Sequence, residues 1–339
     1  MAQQITLTFT SRMRVSCRML LSQLDTYIDR WPLRWQLGNL SLWLRVRFRP
    51  IDRATNPLPA LTPEQQARVR LYCQIQAPQP IDPSAVYAKD ISILRHSYYV
   101  GDILRALYPF FLNQRFLYEF GDVNWILPKP AFVKSRPISN DNQNNVLLPL
   151  DMRRHLRFPK DPYDFSMKKS GIVWRGASHQ ANRQVFLKEA ATLPYCDAGN
   201  PALKNDDPQY RPWLSVFEQL QFKYIVSIEG NDVATNLKWI LNSHSLCMMP
   251  KPRFETWFLE SQLQAGVHYV ELAEDFSNLA DVFAYYEAHP DEALRIIRHA
   301  NAYTQQFAHR ATERRISQHV AQAYFAAHPS NHTAETSEL

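Results

Sequence analysis

From Lys168 onward, short apolar runs alternate with segments of helical character, and this alternation constrains the fold more than any other feature of the sequence. The runs predicted as strands are 171–176, 223–230, 245–250 and 267–272, and the helices predicted between them are 181–193, 211–221 and 233–242. Strands that alternate with helices form a parallel sheet with helices on both faces, the doubly wound arrangement. Ligands of such sheets bind beyond the carboxyl ends of the strands, where helix N-termini direct free N–H groups at them.

The segment FKYIVSIEGNDVATNLKWIL, residues 222–241, is predicted to form a strand, a turn and a helix at such a position. Gly230 permits a tight turn and close backbone approach, and Asn231 and Asp232 can cap the helix. The first turn of the helix would then present backbone N–H groups, two polar side chains and one lysine to a diphosphate. These residues are Val233, Ala234, Thr235, Asn236 and Lys238. Spacing alone favours a routine strand–turn–helix joint, because the GxGxxG fingerprint is missing.

A second strand end with the same layout occurs in VWRGASHQANR, residues 173–183. Arg175 can direct its guanidinium fork at phosphate oxygens, and Gly176 lets a ligand come close. Arg183 lies on the following helix, where it either reaches the same anion or is solvated. By itself this motif has low specificity.

Length and composition limit the class of protein. The chain has 339 residues, which favours two domains that share a cleft. A hydrophobic content of 45%, with 8 Gly and 23 Pro, argues against collagen-like, linker-dominated and disordered classes. The 4 cysteines lack CxxC spacing, so we predict neither a disulfide framework nor a structural zinc site. With no signal-peptide pattern and no run of about 18 apolar residues, the chain is expected to be cytosolic.

Positive charge is unevenly distributed along the chain. The net charge is +6, and residues 1–53 contain nine Arg, no Lys and three Asp. A second basic cluster runs from Arg153 through Arg157 and Lys160 to Lys169. Arginine interleaved with Trp and Leu suits an anionic membrane surface or a phosphorylated lipid. The alternatives are an ordinary helix with a solvated basic face, or a nucleic-acid site, although the pattern matches no recognised nucleic-acid module.

The rest of the chain is predicted to be mainly helical. Thr62 and Pro63 form an N-cap and first helical position that open a helix through Cys73, and residues 101–119 form another helix. Residues 121–149 are rich in loops. Three helices follow the last strand, and residues 329–339 form a disordered tail.

Taken together, the two strand ends resemble glycosyltransferase family 90. The similarity extends from about Asp122 to Phe325, and the first 100 residues carry none of it. It is carried, in this order, by GDV…KPAFVKSRPI, VWRGA, KYIVSIEGNDVATNLKWILNS, PRFETWF and VHYVEL. The family includes protein O-glucosyltransferases, fungal capsule xylosyltransferases and bacterial lipopolysaccharide core transferases. FVKSRPI and PRFETWF look most like the lipopolysaccharide branch.

The resemblance implies an α/β, GT-B-like fold in which two Rossmann-like domains face a cleft, with helical N-terminal additions and a helical C-terminus. Residues 1–165 would form a basic acceptor-side domain and residues 166–328 the nucleotide-sugar domain. The resemblance also implies a UDP-sugar co-substrate, inversion at the anomeric carbon, no cofactor and no essential metal. In agreement with the last point, the sequence contains no Asp-x-Asp pair to hold a divalent ion.

The resemblance also assigns donor residues. Arg175 and Lys238, together with helix N-termini, would stabilise the departing UDP. Glu255 in PRFETWF would accept hydroxyl hydrogen bonds from the ribose or the donor sugar, unless it forms a surface salt bridge instead. Two positions depart from the family pattern. Glu229 stands where the family often has Asp, and some members have Arg two residues before Lys238.

Inverting transfer needs a base that takes the proton of the acceptor hydroxyl. Asp122 in FGDVNW is our candidate, because it resembles the family's Asp between an apolar run and a proline. A Gly-Asp pair is also common in turns. The alternative bases are Asp141, Asp151 and Asp164. Lys134 and Arg136 would hold a phosphate of the acceptor, or only solvate their loop.

The sequence therefore predicts a transferase that moves a hexose, glucose or galactose, from a UDP-sugar to the inner-core oligosaccharide of lipopolysaccharide. Its acceptor would be phosphorylated and lipid-linked, and no nucleic acid would be involved. The enzyme would lie on the cytoplasmic face of the inner membrane of a Gram-negative bacterium as a peripheral protein. Two alternatives stay open. One is a non-catalytic basic protein that binds membrane or nucleic acid, and the other is a protein O-glycosyltransferase.

Overall fold

The computed structural model describes residues 32–48, 57–94, 96–108 and 110–328, which form a mixed α/β structure. Its strands are β1 (Val86–Tyr87), β2 (Arg115–Phe116), β3 (Tyr118–Glu119), β4 (Ala131–Val133), β5 (Ser135–Pro137), β6 (Asn145–Leu147), β7 (Lys169–Arg175), β8 (Cys196–Gly199), β9 (Phe222–Val226), β10 (Leu246–Met249), β11 (Phe254–Thr256) and β12 (Val270–Glu271). Its α-helices are α1 (Pro32–Phe48), α2 (Pro63–Tyr72), α3 (Ser97–Leu107), α4 (Met152–His155), α5 (Ala181–Ala190), α6 (Val216–Gln219), α7 (Leu237–Leu241), α8 (Leu279–Ala288), α9 (Pro290–Gln305) and α10 (Arg310–Ala326). Short 3₁₀ helices occupy Ala88–Asp90, Phe165–Met167 and Glu260–Gln262. The Arg-rich start up to residue 31 and the tail from residue 329 lie outside the described residues.

The larger sheet has five parallel strands in the order β12-β10-β9-β7-β8, which confirms the predicted parallel sheet. Alternate residues of the central strands enter two apolar clusters, one on each face. In β7, for example, Ile172 and Trp174 belong to one cluster and Val173 to the other. Helices α5, α8 and α9 contribute to the cluster that contains Trp174. Because both faces are buried, these strands are continuous apolar runs in the sequence.

A smaller parallel sheet, β3-β4-β6, lies in the N-terminal half, and two features join the halves. Strand β5 pairs with β11 in antiparallel register, which connects residues 135–137 to residues 254–256. Helix α10 packs back on the N-terminal half, where the Tyr324 hydroxyl accepts from the Leu117 N–H and donates to the Pro130 carbonyl, each at 3.1 Å. The last helix therefore belongs to the core of the first half as well as to the end of the chain.

The predicted helix after Thr62 is confirmed, and its N-cap is a capping box with Gln65. Three other predicted helices are corrected. Helix α3 ends at Leu107, and part of 108–119 forms β2 and β3, in which Phe116 is completely buried and Tyr118 half-buried. Only Val216–Gln219 is α-helical within 211–221, behind a capping box at Ser215. Helix α7 begins at Leu237 rather than at residue 233.

Two further observations concern the cysteines and the length of the helices. The described cysteines, Cys73, Cys196 and Cys247, are free thiols. No helix in the described part of the chain has the length and apolar character needed to span a bilayer.

Candidate active site

The connections of the large sheet diverge between β7 and β9. The chain leaves β7 for β8 on one side, whereas β9 leads to β10 on the other, so the gap between β7 and β9 is the topological switch point. A cleft of about 340 Å³ opens there. Eleven of the predicted site residues line it, namely Asp122, Lys134, Arg175, Gly176, Arg183, Gly230, Asn231, Val233, Ala234, Thr235 and Asn236.

The loop between β9 and α7 supplies unpaired backbone donors at this cleft. Since α7 begins only at Leu237, residues 233–236 form an irregular segment rather than the first turn of a long helix. No acceptor among the described residues pairs with the N–H groups of these four residues. The Asn236 side chain is used internally, because its Nδ2 donates to the Val226 carbonyl at 3.1 Å and its Oδ1 accepts from Ser227 at 3.0 Å. The backbone N–H groups, and not the Asn236 amide, are therefore the donors of this segment that are available for a ligand.

Arg183 brings a positive charge without a carboxylate partner to the same place. Its guanidinium donates to the carbonyl oxygens of Ile228 at 2.9 Å, Glu229 at 3.2 Å and Ala177 at 2.9 Å. Within the described ranges it forms no ion pair with an acid, and burial lowers the pKa of Arg183. A Cβ on Gly230 would lie 3.1 Å from Arg183 Nη2, so the glycine permits this close approach. The result is a fixed cation at the end of β9 that an anionic ligand can neutralise.

Arg175, by contrast, directs its guanidinium at the protein. It donates to the Pro212 carbonyl at 2.8 Å, to the Asp197 carbonyl at 2.7 Å and to Asp197 Oδ1 at 2.8 Å. The side chain is 4% exposed. Gly176 is required by packing, because a Cβ there would lie 2.7 Å from the Trp174 ring. Arg175 thus anchors the segment before α6 at the rim of the cleft.

An ion-pair bridge crosses the cleft from one half of the protein to the other. The Lys134 ammonium lies 2.5 Å from Asp122 Oδ1 and 2.8 Å from Asp232 Oδ2. Burial would lower the pKa of Lys134, but Asp232, Tyr99 and Asp122 raise it above the ordinary value. Partial burial is the largest single influence and acts to raise the pKa of Asp122, but the hydrogen bond and charge of Lys134, together with Asn231 and Arg154, outweigh it and hold the pKa below its ordinary value. Asp122 is therefore an ionised carboxylate at neutral pH.

The structure places three predicted site residues elsewhere. Lys238 Nζ lies 2.5 Å from Glu260 Oε1, and both side chains are buried. Arg136 and Glu255 form a second buried pair at 2.7 Å. None of these side chains lines the cleft. Each charge is instead paired with an opposite charge inside the core, as buried charges generally are.

Two residues of the cleft wall, Arg154 and His155, were not predicted as site residues. Arg154 lines the cleft, and its exposed guanidinium lies 3.1 Å from Asp151. His155 lines it as well, and neither ring nitrogen has a hydrogen-bond partner among the described residues. Burial, with the nearby cations Lys238, Lys134 and Arg154, lowers the pKa of His155 well below its ordinary value. The basic run that begins at Arg153 was the signal that could have led to both.

A smaller cavity of about 120 Å³ adjoins the cleft at the carboxyl ends of β9, β10 and β12. Glu229 lies on its wall and accepts hydrogen bonds from the backbone N–H groups of Arg253 at 2.9 Å and Phe254 at 3.1 Å. Glu274, which is exposed at the end of β12, lines it too. No three His, Cys, Asp or Glu side chains in the described segments come together as a metal site.

Comparisons with known proteins point to one family. The profile of glycosyl transferase family 90 matches residues 149–322, a range that contains the cleft residues from Arg154 to Asn236 and follows Asp122 and Lys134. A relative, O-glucosyltransferase LpsA of Dichelobacter nodosus, is 45% identical over 260 residues, which cover 76% of this chain and 82% of that protein. Protein O-glucosyltransferase 2 of Danio rerio is 27% identical over 130 residues, which cover 36% of this chain and 26% of that protein. Both relatives are named as O-glucosyltransferases.

Proposed function

The chain belongs to glycosyl transferase family 90, and from this membership we propose that it transfers a hexose from a UDP-sugar to the inner-core oligosaccharide of lipopolysaccharide. The predicted family and the glycosyltransferase class are confirmed by the comparisons. The name of the Dichelobacter nodosus relative supports glucose, ahead of galactose, as the hexose.

The observation that carries the donor assignment is the combination of Arg183 with the unpaired N–H groups of residues 233–236. Both lie at the switch point, where doubly wound sheets bind nucleotides. A diphosphate there would accept hydrogen bonds from the backbone N–H groups and neutralise the half-buried guanidinium. Such charge-assisted hydrogen bonds are of the strong kind. We assign the nucleoside to the adjoining cavity, where the exposed Glu274 can accept a ribose hydroxyl.

We propose a GT-B-like arrangement with the cleft between its two halves. The large sheet contributes Arg183 and residues 230–236, and the segments beside the small sheet contribute Asp122 and Lys134. The two parallel sheets would be the cores of the two Rossmann-like domains. The predicted division near residue 165 falls between β6 and β7, the strands that end one sheet and begin the other.

In the proposed reaction Asp122 takes the proton of the acceptor hydroxyl while that oxygen attacks the anomeric carbon. The bond from the anomeric carbon to the UDP oxygen breaks on the opposite face, so the configuration inverts and UDP leaves with the bonding pair. Arg183 and the N–H groups of residues 233–236 stabilise the charge that develops on UDP. We therefore propose that these groups fulfil the role that a divalent ion has in metal-dependent transferases.

We also propose a peripheral site at the cytoplasmic face of the inner membrane, where a lipid-linked acceptor would be available. On α1, Leu37, Leu40, Leu44 and Phe48 are exposed on one face, and Arg45 lies among them. Leucine and phenylalanine next to arginine are typical of helices that lie in an anionic membrane interface.

Transfer to a protein hydroxyl is a second candidate, because the Danio rerio relative is named a protein O-glucosyltransferase. That match covers 36% of this chain, against 76% for the bacterial relative, so we rank it second. Mass spectrometry of the core oligosaccharide from a deletion strain distinguishes the two, since loss of one hexose is expected only for the first.

Calorimetry with UDP tests the donor site. Replacing Arg183 by Gln is expected to weaken UDP binding by about 10- to 100-fold, because a charged hydrogen bond contributes ~1.5–3 kcal/mol. Lys188→Gln, an exposed position on the same helix, should leave the affinity unchanged. Arg183 also donates to three carbonyl oxygens, so its replacement can lower stability. The melting temperatures of both variants separate that effect from the loss of UDP binding. Absent binding by the wild type, or full binding by Arg183→Gln, would contradict the assignment.

A further inference from the structure

A second groove opens beside the cleft. It has a volume of about 480 Å³ and shares Arg154 and Thr235 with the cleft. Arg153 and Arg157 line it, together with Trp239 on α7. A ligand held in this groove would thus meet the donor cleft at Arg154 and Thr235.

The groove is strongly basic. Arg153, Arg154 and Arg157 line it, and Asp151 is the one acidic residue among its described lining residues. The Arg154 side chain is 62% exposed and forms an ion pair of 3.1 Å with Asp151. Arg153 donates to the Tyr98 hydroxyl at 3.0 Å, which fixes its orientation. Such a set of guanidinium groups is suited to phosphate oxygens, which accept their planar forks.

Apolar and aromatic surface accompanies the charge. Trp239 is half-buried and lines the groove together with Phe217. A sugar ring can pack its C–H face against an indole while its phosphate meets the arginines. This combination fits a phosphorylated saccharide better than an inorganic ion alone.

A buried, unpartnered side chain on the wall of the adjoining cleft, next in sequence to Arg154, supports a ligand that extends from the groove into the cleft. His155 follows Arg154 in the same short helix and is 4% exposed, and both of its ring nitrogens are without partners in the described part of the chain. A buried polar group left unpaired carries a penalty of ~1–3 kcal/mol. A hydroxyl of a bound acceptor, or a water bound with it, would remove that penalty.

We propose that this groove is the acceptor subsite and that it binds a phosphate group on the acceptor saccharide through Arg153, Arg154 and Arg157. The inference rests on the proposed transferase function. It replaces the earlier expectation for Lys134 and Arg136, since Lys134 is paired with two carboxylates and Arg136 is buried. The acceptor hydroxyl next to that phosphate would then point toward Asp122 in the adjoining cleft.

The experiment measures transfer from UDP-glucose to lipopolysaccharide extracted from a deletion strain, before and after treatment with a phosphatase. For Arg153→Gln/Arg157→Gln, the KM for the untreated acceptor is expected to rise by at least tenfold, with UDP affinity and kcat within about twofold. For the phosphatase-treated acceptor, the wild type and the double variant should have the same raised KM. Arg298→Gln, at an exposed site on α9, is the matched control and should behave as the wild type.

Two results would overturn the groove assignment. One is an unchanged KM of the double variant for the untreated acceptor. The other is an equal loss with both acceptors, which points to a general structural defect. Direct binding of the two acceptor preparations, without UDP-glucose, gives the same comparison when transfer is absent. A failure of the transferase proposal, seen as no UDP binding and no turnover, is therefore distinguishable from a failure of the groove.

Discussion

Replacing Asp122 by Asn is expected to lower kcat for transfer by about 10²- to 10⁴-fold, the usual contribution of a general base. UDP affinity should stay within about twofold, because Asp122 lies across the cleft from Arg183 and residues 233–236 in our assignment. Asn keeps the shape of the side chain and can still face Asn231, whose Nδ2 lies 3.3 Å from Asp122 Oδ2. Transfer assays measure the change in kcat, and calorimetry on the same preparation measures the UDP affinity.

The alternative bases provide matched controls. Asp141 is exposed on a loop outside the cleft, and Asp164 precedes a 3₁₀ helix. Asp141→Asn and Asp164→Asn should therefore leave kcat unchanged. Asp151 lines the neighbouring groove and is paired with Arg154, so its loss should act on acceptor KM. Retained turnover by Asp122→Asn would move the role of base to another carboxylate.

The pH profile is a second readout for Asp122. The base acts only when it is ionised, and the hydrogen bond from Lys134 lowers its pKa despite partial burial. Protonation of Asp122 should therefore not reduce turnover between neutral pH and about pH 5, which is about one unit above the ordinary pKa of aspartate. A fall in turnover near neutral pH would indicate a base with a raised pKa. It would therefore contradict the assignment of Asp122, whose pKa is lowered.

The large sheet was predictable because its strands are buried on both faces. Strands β7, β9 and β10 appear in the sequence as apolar runs, WRG closes β7 and EGND comes shortly after β9. Strand β8, CDAG, has no such run, so the position of the switch point could not be read from the sequence. The small sheet was missed for a related reason. Its strands have two or three residues each, too few to establish a period of two.

Charged residues were the hardest to assign, because a sequence does not reveal which charges meet inside the protein. Lys238 lies in the predicted phosphate segment, yet its ammonium forms a buried ion pair with Glu260. Arg183 was an uncertain member of the weaker motif, yet it lies at the cleft and forms no ion pair with a carboxylate among the residues that the structure describes. Partner choice of this kind depends on contacts between distant segments, which neither spacing nor composition encodes.

Arg136 and Glu255 show the same point with a measurable consequence. They are 119 residues apart in sequence, and β5 pairs with β11 to bring them together. Arg136 donates to Glu255 Oε1 from Nε at 2.8 Å, and to the carbonyl oxygens of Leu71 at 2.6 Å and Asn145 at 2.8 Å. Glu255 Oε2 accepts from the Ser261 hydroxyl at 2.5 Å. Arg136 therefore connects the end of α2, the small sheet and β11 from a fully buried position.

Replacing Glu255 by Ala is expected to lower the free energy of unfolding by ~3–5 kcal/mol, because it leaves the Arg136 charge buried without a counter-ion. For a chain of this size the melting temperature should fall on the order of 10 °C. Arg295→Gln, which removes an exposed ion pair of 3.9 Å with Glu292, should cost less than about 1 kcal/mol. Thermal unfolding with and without UDP measures both variants. Because Glu255 is buried away from the cleft, the folded fraction of Glu255→Ala should bind UDP as the wild type does. A variant with normal stability and lost UDP binding would instead return Glu255 to the donor site.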